Sequence, residues 1–365
     1  MLVLGGEWLV RGAASLAAML KISPLVIGLT VVAFGTSAPE LGVSLQAAFA
    51  GNAGVAVGNV VGSNIINILV VLGTAALVTP LLVSSQLVRW DVPLMVAASI
   101  GMWAAAADGV VAAWEGAIMF AGLVAYIARS VIRSRSEQKE VAAEFEDYVV
   151  DMVRRRDIVI SMVFFVAGLI VLGIGSRLLV DGATQVAKRF GVTDLVIGLT
   201  VVAVGTSLPE VVTSVVASVR GQRDIAVGNV VGSNLFNILC VLGLTSMASG
   251  WFGPAPSADA TTPVVAGIPV DPAAVSVDIP IMVAVAVLCL PIFWTSYLIR
   301  RWEATMFLAY YAAYTTFLYA TATAAAWRDG FVRVVAIAIP LTLVPIVISV
   351  VRFGGRARKP PEEKA

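Results

Sequence analysis

The chain has 365 residues, 59 % of them apolar and only 13 % charged, with a mean hydropathy of +0.95. A soluble domain carries roughly 25 % charged residues, so most of this chain cannot face water and a polytopic membrane protein is expected. The net charge of +1 excludes bulk attraction to nucleic acid, and the absence of histidine excludes imidazole-held zinc, copper or iron and histidine proton relays.

Met1 opens directly into Leu2-Val3-Leu4-Gly5 with no basic n-region, so no signal peptide is expected. A spanning helix needs about 20 apolar residues. That rule predicts helices near 1–20, 24–50, 54–80, 91–108 and 110–133. Ser134 to Arg156 is charged and reads as a water-exposed linker, with no EF-hand loop pattern in it. Five more helices follow near 157–187, 194–219, 225–249, 277–299 and 302–326, with a loop from Gly250 to Ala274, and an eleventh lies at 331–351. Cys240 and Cys289 sit in apolar runs and read as structural filler.

A duplication organises these elements. Val26 to Gly73 can be laid on Val196 to Gly243 without a gap at an offset of 170, and 31 of the 48 positions are identical. The echo continues as Asp91-Val92-Pro93-Leu94-Met95 against Asp278-Ile279-Pro280-Ile281-Met282, and as Trp114-Glu115 against Trp302-Glu303. The expected units are therefore 1–133, a linker 134–156, a second unit 157–327, and an added helix with a basic tail over 328–365. Gly12 aligns with Gly182, but far fewer residues precede it, so the first helix reads as truncated at its start. Five helices is an odd number, so the two units must cross the membrane in opposite senses. Placing the linker and the C-terminus in the cytoplasm puts 19 of the 24 basic residues inside, as the positive-inside rule requires. The fold class expected is all-α: an inverted five-plus-five repeat with discontinuous helices, in the cell membrane, surrounded by lipid.

Two signatures recur in both units. The first is Gly35-Thr36-Ser37-Ala38-Pro39-Glu40, repeated as Gly205-Thr206-Ser207-Leu208-Pro209-Glu210. Each lies mid-way along an apolar run, where a charged side chain costs roughly 2.5–3.5 kcal/mol on insertion scales, so a cation or proton is needed to compensate. Pro39 and Pro209 cannot donate to the helical ladder, which frees carbonyls around Ala33–Thr36 and Ala203–Thr206. Carbonyls, Thr and Ser hydroxyls and one carboxylate per half make an oxygen-only cage, and calcium takes 6–8 oxygens. The Ser-x-x-Glu spacing also satisfies a capping box, and a broken helix must restart. Gln would cap without an intramembrane charge, however, so capping is expected as the scaffold of a cation site.

The second signature is Gly58-Asn59-Val60-Val61-Gly62-Ser63-Asn64-x-x-Asn67, repeated from Gly228 to Asn237. The glycines have the spacing of close helix packing. Ser63 and Asn67 share a helical face, as do Ser233 and Asn237, and their neutral oxygens suit sodium or the flanks of a calcium site. Asn59, Asn64, Asn229 and Asn234 point elsewhere and are expected to bond backbone across the helix contact. Inverted repeats with midplane ligands are the pattern of a secondary transporter. No nucleotide-binding loop occurs, so no ATP drive is expected. No cofactor is expected beyond the transported ions, and the absence of histidine with Glu in place of an Asp dyad argues against an enzyme.

At these residues the sequence resembles the cation/Ca2+ exchanger superfamily, specifically prokaryotic sodium/calcium exchangers, over nearly its whole length. The resemblance implies alternating access, with sodium entering as calcium leaves. It also implies that Glu40 and Glu210 ligate calcium and share sodium, that Thr36, Ser37, Thr206 and Ser207 with the Ala33 and Ala203 carbonyls complete the sites, and that Ser63, Asn67, Ser233 and Asn237 serve flanking positions. Some members carry Asp where this chain has Asn237, which leaves two formal negatives here. Proton-coupled members resemble a GNxxE pattern, and Gly62 and Gly232 stand at that fifth position. A proton-coupled or broader divalent-cation antiporter stays open as the alternative. An intramembrane carboxylate enzyme and a passive channel are the readings from other classes.

Overall fold

The computed structural model describes residues 1–144, 155–190, 203–252 and 266–353. The first unit runs through Leu2–Leu20, the bent pair Pro24–Thr36 and Ala38–Phe49, then Ala53–Val78, Val92–Ala106 and Ala113–Glu144. The second runs through Arg155–Arg189, Ala203–Thr206 with Leu208–Val219, a continuous helix over 223–252, Ile279–Ser296 and Arg301–Ala322. Arg328–Phe353 follows as the eleventh. Among the described residues six helices are long and apolar enough to cross a membrane alone, and the bent pair makes a seventh span. The expected all-α, polytopic architecture is what the chain adopts.

Burial separates core from periphery. The apolar window of the 223–252 helix is wholly buried and that of Ala53–Val78 is 72 % buried, against 28 % for the window in Asp157–Val186. The two helices carrying the Gly-Asn signature therefore form the centre. Leu2–Leu20 lies along the 155–189 helix at the edge. Glycines set that approach: a Cβ added at Gly12 would stand 2.6 Å from the Phe165 nitrogen, and one at Gly168 2.5 Å from the Leu9 nitrogen.

Helix starts follow local chemistry. The Ser23 hydroxyl accepts from Val26 N–H at 3.2 Å ahead of Pro24, whereas Pro93 and Pro280 lie inside helices already under way, directly after the π-helical turns Leu87–Asp91 and Ala274–Asp278, where a proline cannot donate to the ladder. The Trp-Glu echo is a pair of caps. Glu115 accepts from Ala112 N–H at 2.8 Å and Glu303 from Arg300 N–H at 2.7 Å.

Two miniature antiparallel pairs were not expected. β1 (Leu81–Leu82) pairs with β4 (Leu298–Ile299), and β2 (Val110–Ala112) pairs with β3 (Gly267–Pro269). In the duplication β1 corresponds to β3 and β2 to β4, so each pair joins the two units and maps onto the other. The Val92–Ala106 helix separates β1 from β2, which is the arrangement of an inverted repeat.

Part of the expected linker is helix. The helix from Ala113 continues to Glu144, because 134–144 holds good helix formers with neither Gly nor Pro, and Ser134 is buried against Ser23, accepting its N–H at 2.7 Å. The remaining linker to residue 154, the start of the expected 194–219 helix, most of the 250–274 loop and the tail from 354 lie outside the described residues.

Each unit also carries a Tyr–Asp tie. Tyr126 donates to Asp91 at 3.0 Å and Tyr314 to Asp278 at 3.1 Å, and the Asp in both cases ends a π-helical turn, Leu87–Asp91 or Ala274–Asp278. Tyr126→Phe removes a buried donor to a buried carboxylate and is expected to cost about 1–3 kcal/mol. A thiol-reactive dye that reports exposure of the buried Cys240 and Cys289 on heating checks this as a lowered unfolding midpoint. An unchanged midpoint would show that the tie contributes nothing.

Candidate functional site

The two carboxylate segments bend rather than unwind. Ser37 sits between Pro24–Thr36 and Ala38–Phe49 at φ −85°, ψ 2°, where the axis turns by 42°, and Ser207 adopts φ −89°, ψ 7°. Backbone bonds span the interruption: Ser37 N–H donates to the Ala33 carbonyl at 2.9 Å, and Leu41 N–H to the Ser37 carbonyl at 3.2 Å. Pro39 has no N–H to give to the Gly35 carbonyl. The expected capping box is not formed. Neither Ser37 nor Ser207 makes a side-chain cap bond. A helical turn that stays bonded through the bend has less need of a hydroxyl cap, and a buried carboxylate is a stronger acceptor. Ser37 Oγ donates to Glu210 Oε1 at 3.4 Å.

That bond joins the two motifs, since Ser37 stands three residues before Glu40. Glu40 and Glu210 are fully buried. Thr36 Oγ1 donates to Asn229 Oδ1 at 3.1 Å and lies 3.4 Å from Ser233 Oγ. Ala33 is buried and its carbonyl takes the Ser37 N–H and, at 3.4 Å, the Thr36 hydroxyl. Thr206 is half-buried, and Ala203 opens the short helix Ala203–Thr206. Ser63, Asn67, Ser207, Ser233 and Asn237 are all buried.

Many of these oxygens lack a protein partner. Among the described residues twelve buried side-chain polar atoms have none, and seven belong to six site residues: both Glu40 oxygens, Glu210 Oε2, Ser63 Oγ, Asn67 Oδ1, Ser207 Oγ and Asn237 Oδ1. A buried acceptor without a donor costs about 1–3 kcal/mol. That cost is concentrated on oxygens drawn from both units, and a cation is a ligand whose chemistry would offset it. No group of three or more acidic or Cys residues occurs among the described residues, so neutral oxygens must supply most of any coordination shell.

The remaining asparagines brace the site. Asn59 Nδ2 donates to the Glu40 carbonyl at 3.1 Å and to Ser44 Oγ at 2.9 Å, and Asn229 Nδ2 donates to Ser214 Oγ at 3.0 Å. Backbone bonding was expected; Asn59 and Asn64 show it, while Asn229 and Asn234 bond side chains. Sequence reasoning also missed the π-helical turns Asn67–Leu72 and Asn237–Leu242, which begin at equivalent residues of the two units. Such turns are common at functional sites.

The glycine spacing works as packing in the second unit. A Cβ at Gly228 would meet the Leu25 carbonyl at 2.8 Å, and one at Gly232 the Leu29 carbonyl at 2.6 Å. Among the described residues nothing lies within 4 Å of a Cβ added at Gly58 or Gly62.

A cavity of about 610 Å3 leads to the site from one end. It runs from the exposed Gln46, Arg177 and Asp181 to Pro39, Thr206 and Pro209.

Residues 1–132 and 160–320 match the family model described as Sodium/calcium exchanger protein. The chain belongs to this exchanger family. It is 40 % identical over 251 residues to the putative antiporter CaxA of Alkalimonas amylolytica, covering 68 % of this chain and 78 % of that one. It is 30 % identical over 354 residues to the sodium/calcium exchanger MaX1 of Methanosarcina acetivorans, covering 87 % and 95 %. Its fold matches the solved structure of the sodium-calcium exchanger NCX_Mj with a TM-score of 0.69 at 29 % identity, over 85 % of this chain and 92 % of that one. The resemblance read from the paired motifs holds. As a member of the exchanger family the protein is a multi-pass membrane antiporter of the cation/calcium class, and the family is one of transporters.

Proposed function

We propose that the protein is a secondary active antiporter that exchanges sodium for calcium by alternating access at the Glu40/Glu210 site. The observation that carries this reading is the set of seven partnerless buried atoms, all oxygens, drawn from both units. Glu40 and Glu210 supply the charge, and Ser37, Thr36, Thr206 and Ser207 with the Ala33 and Ala203 carbonyls supply neutral oxygens. Ser63, Asn67, Ser233 and Asn237 serve the flanking positions, beside the calcium or for sodium. Two carboxylates balance one calcium, whereas three sodium ions leave one positive charge in excess. Sodium coupling is supported by MaX1 and NCX_Mj, both named for sodium and calcium.

The cavity at Arg177 and Asp181 opens at one end of the molecule, and the excess of basic residues supports an outer position for that end, with the linker and C-terminus in the cytoplasm. It serves as the outward access path. The test is 45Ca2+ uptake into proteoliposomes preloaded with sodium, compared with vesicles carrying only a proton gradient. Uptake is expected with the sodium gradient and not with the proton gradient. Uptake driven by protons alone would replace this reading with proton-coupled antiport, and flux without any counter-ion would replace it with a channel.

A further inference from the structure

We infer that Met95 and Met282 are positioning residues that fix, through Asn234 and Asn64, which end of the Asn67 and Asn237 amides faces the cation. The inference rests on the proposed role of Asn67 and Asn237 as ligands. An amide has an oxygen and a nitrogen of nearly the same size, so packing alone cannot choose between its two orientations. For a cation the choice decides everything: one end is an acceptor and the other a pair of donors.

The choice is made two residues away. Asn234 Nδ2 donates to Met95 Sδ at 3.4 Å, and Asn64 Nδ2 donates to Met282 Sδ at 3.6 Å and to the Asn234 carbonyl at 3.4 Å, both acceptors only. A thioether has no proton to give, so each sulfur can face only the NH2 end of its asparagine. Asn234 Oδ1 is thereby turned to Asn67, whose Nδ2 donates to it at 3.2 Å, and Asn64 Oδ1 is turned to Asn237, whose Nδ2 donates to it at 3.1 Å. With both nitrogens tied, the free end of each amide is its oxygen, and both Oδ1 atoms are buried without a protein partner. Reversing either outer asparagine would present an NH2 group to its neighbour and turn an NH2 toward the cation.

The device is built twice and crosses between the units each time. Asn64 and Asn234 are separated by the repeat offset, as are Asn67 and Asn237. Met95 and Met282 each follow by four residues the Asp of a Tyr–Asp tie, so the helices carrying the sulfurs are themselves anchored. Met95, Met282, Asn64 and Asn234 are all buried, which keeps water from substituting for the sulfur.

The test is a double-mutant cycle in the full chain, reading half-saturating Ca2+ for sodium-driven uptake in proteoliposomes. Met95→Leu keeps the volume and removes the acceptor, and it is expected to raise half-saturating Ca2+ about 10-fold, the lower end of what outer-shell partners of metal ligands contribute. Asn67→Asp has two equivalent oxygens and needs no orienting. In that background Met95→Leu is expected to change half-saturating Ca2+ by less than about twofold. Met282→Leu with Asn237→Asp repeats the test independently in case one variant fails to fold. An unchanged value in Met95→Leu and Met282→Leu, or an equal rise with and without the Asp, overturns the inference, because a packing effect would not depend on the amide. Glu40→Gln and Glu210→Gln run alongside: retained uptake in both overturns the cation site and the inference with it, whereas lost uptake in both with unchanged methionine variants overturns the inference alone.

Discussion

Glu40→Gln and Glu210→Gln are each expected to lower sodium-driven Ca2+ uptake by at least about 100-fold while leaving the cation-free protein folded. The magnitude follows from charge. Two unit charges 4 Å apart at an effective dielectric of about 20 interact by about 4 kcal/mol, and a divalent ion doubles that figure. Desolvation opposes it, but a surviving net of about 3 kcal/mol is already about 100-fold. Gln keeps the shape and one oxygen, so what it removes is the charge and one acceptor. Both carboxylates are fully buried, so water cannot make up the difference.

Stability separates loss of binding from loss of fold. Any ligand held only by the folded state raises its stability, by about 2.7 kcal/mol at 100 times its dissociation constant. Calcium is therefore expected to raise the unfolding midpoint of the parent protein and to leave both Gln variants unmoved. In the absence of calcium the variants should unfold no earlier than the parent, because a charge buried without a counter-charge has been removed. A calcium-induced rise that persists in both variants would mean that the ion binds elsewhere.

The duplication makes much of the fold and site legible in the order of amino acids alone. Thirty-one identities in one ungapped frame fix the equivalence of Glu40 with Glu210 and of Asn67 with Asn237, and apolar run lengths place the helices. The Trp-Glu echo is visible as a pattern but not as a pair of caps, since a cap depends on where the chain turns. The serine of each Ser-x-x-Glu misleads for a related reason: the spacing suits a local cap, but Ser37 bonds Glu210, 173 positions away. The methionine–asparagine contacts join residues 139 and 218 positions apart, and nothing local in Met95 or Met282 announces them. Pattern within one segment is readable; chemistry between segments is not.

Gly232→Ala is expected to damage both the fold and the site. The added Cβ would stand 2.6 Å from the Leu29 carbonyl oxygen and 2.8 Å from both the Leu29 Cα and the Ala33 Cβ. Two of those atoms are backbone and the third is a Cβ fixed to it, so no flexible side chain can swing aside. The segment Pro24–Thr36 must shift as a body, and with it Thr36, which loses its 3.1 Å bond to Asn229 and its 3.4 Å contact with Ser233. Overpacking of this kind costs about 1–3 kcal/mol. The unfolding midpoint should fall by several degrees, and half-saturating Ca2+ should rise because one wall of the site has moved. Gly122→Ala is the matched control: nothing lies within 4 Å of a Cβ there, and Ala in place of a helical Gly is worth about 0.5–1 kcal/mol in the other direction. Equal midpoints for the two variants would mean that the helices carrying Gly232 and Leu29 are not in backbone contact, and the route by which Thr36 reaches the second unit would then have to be different.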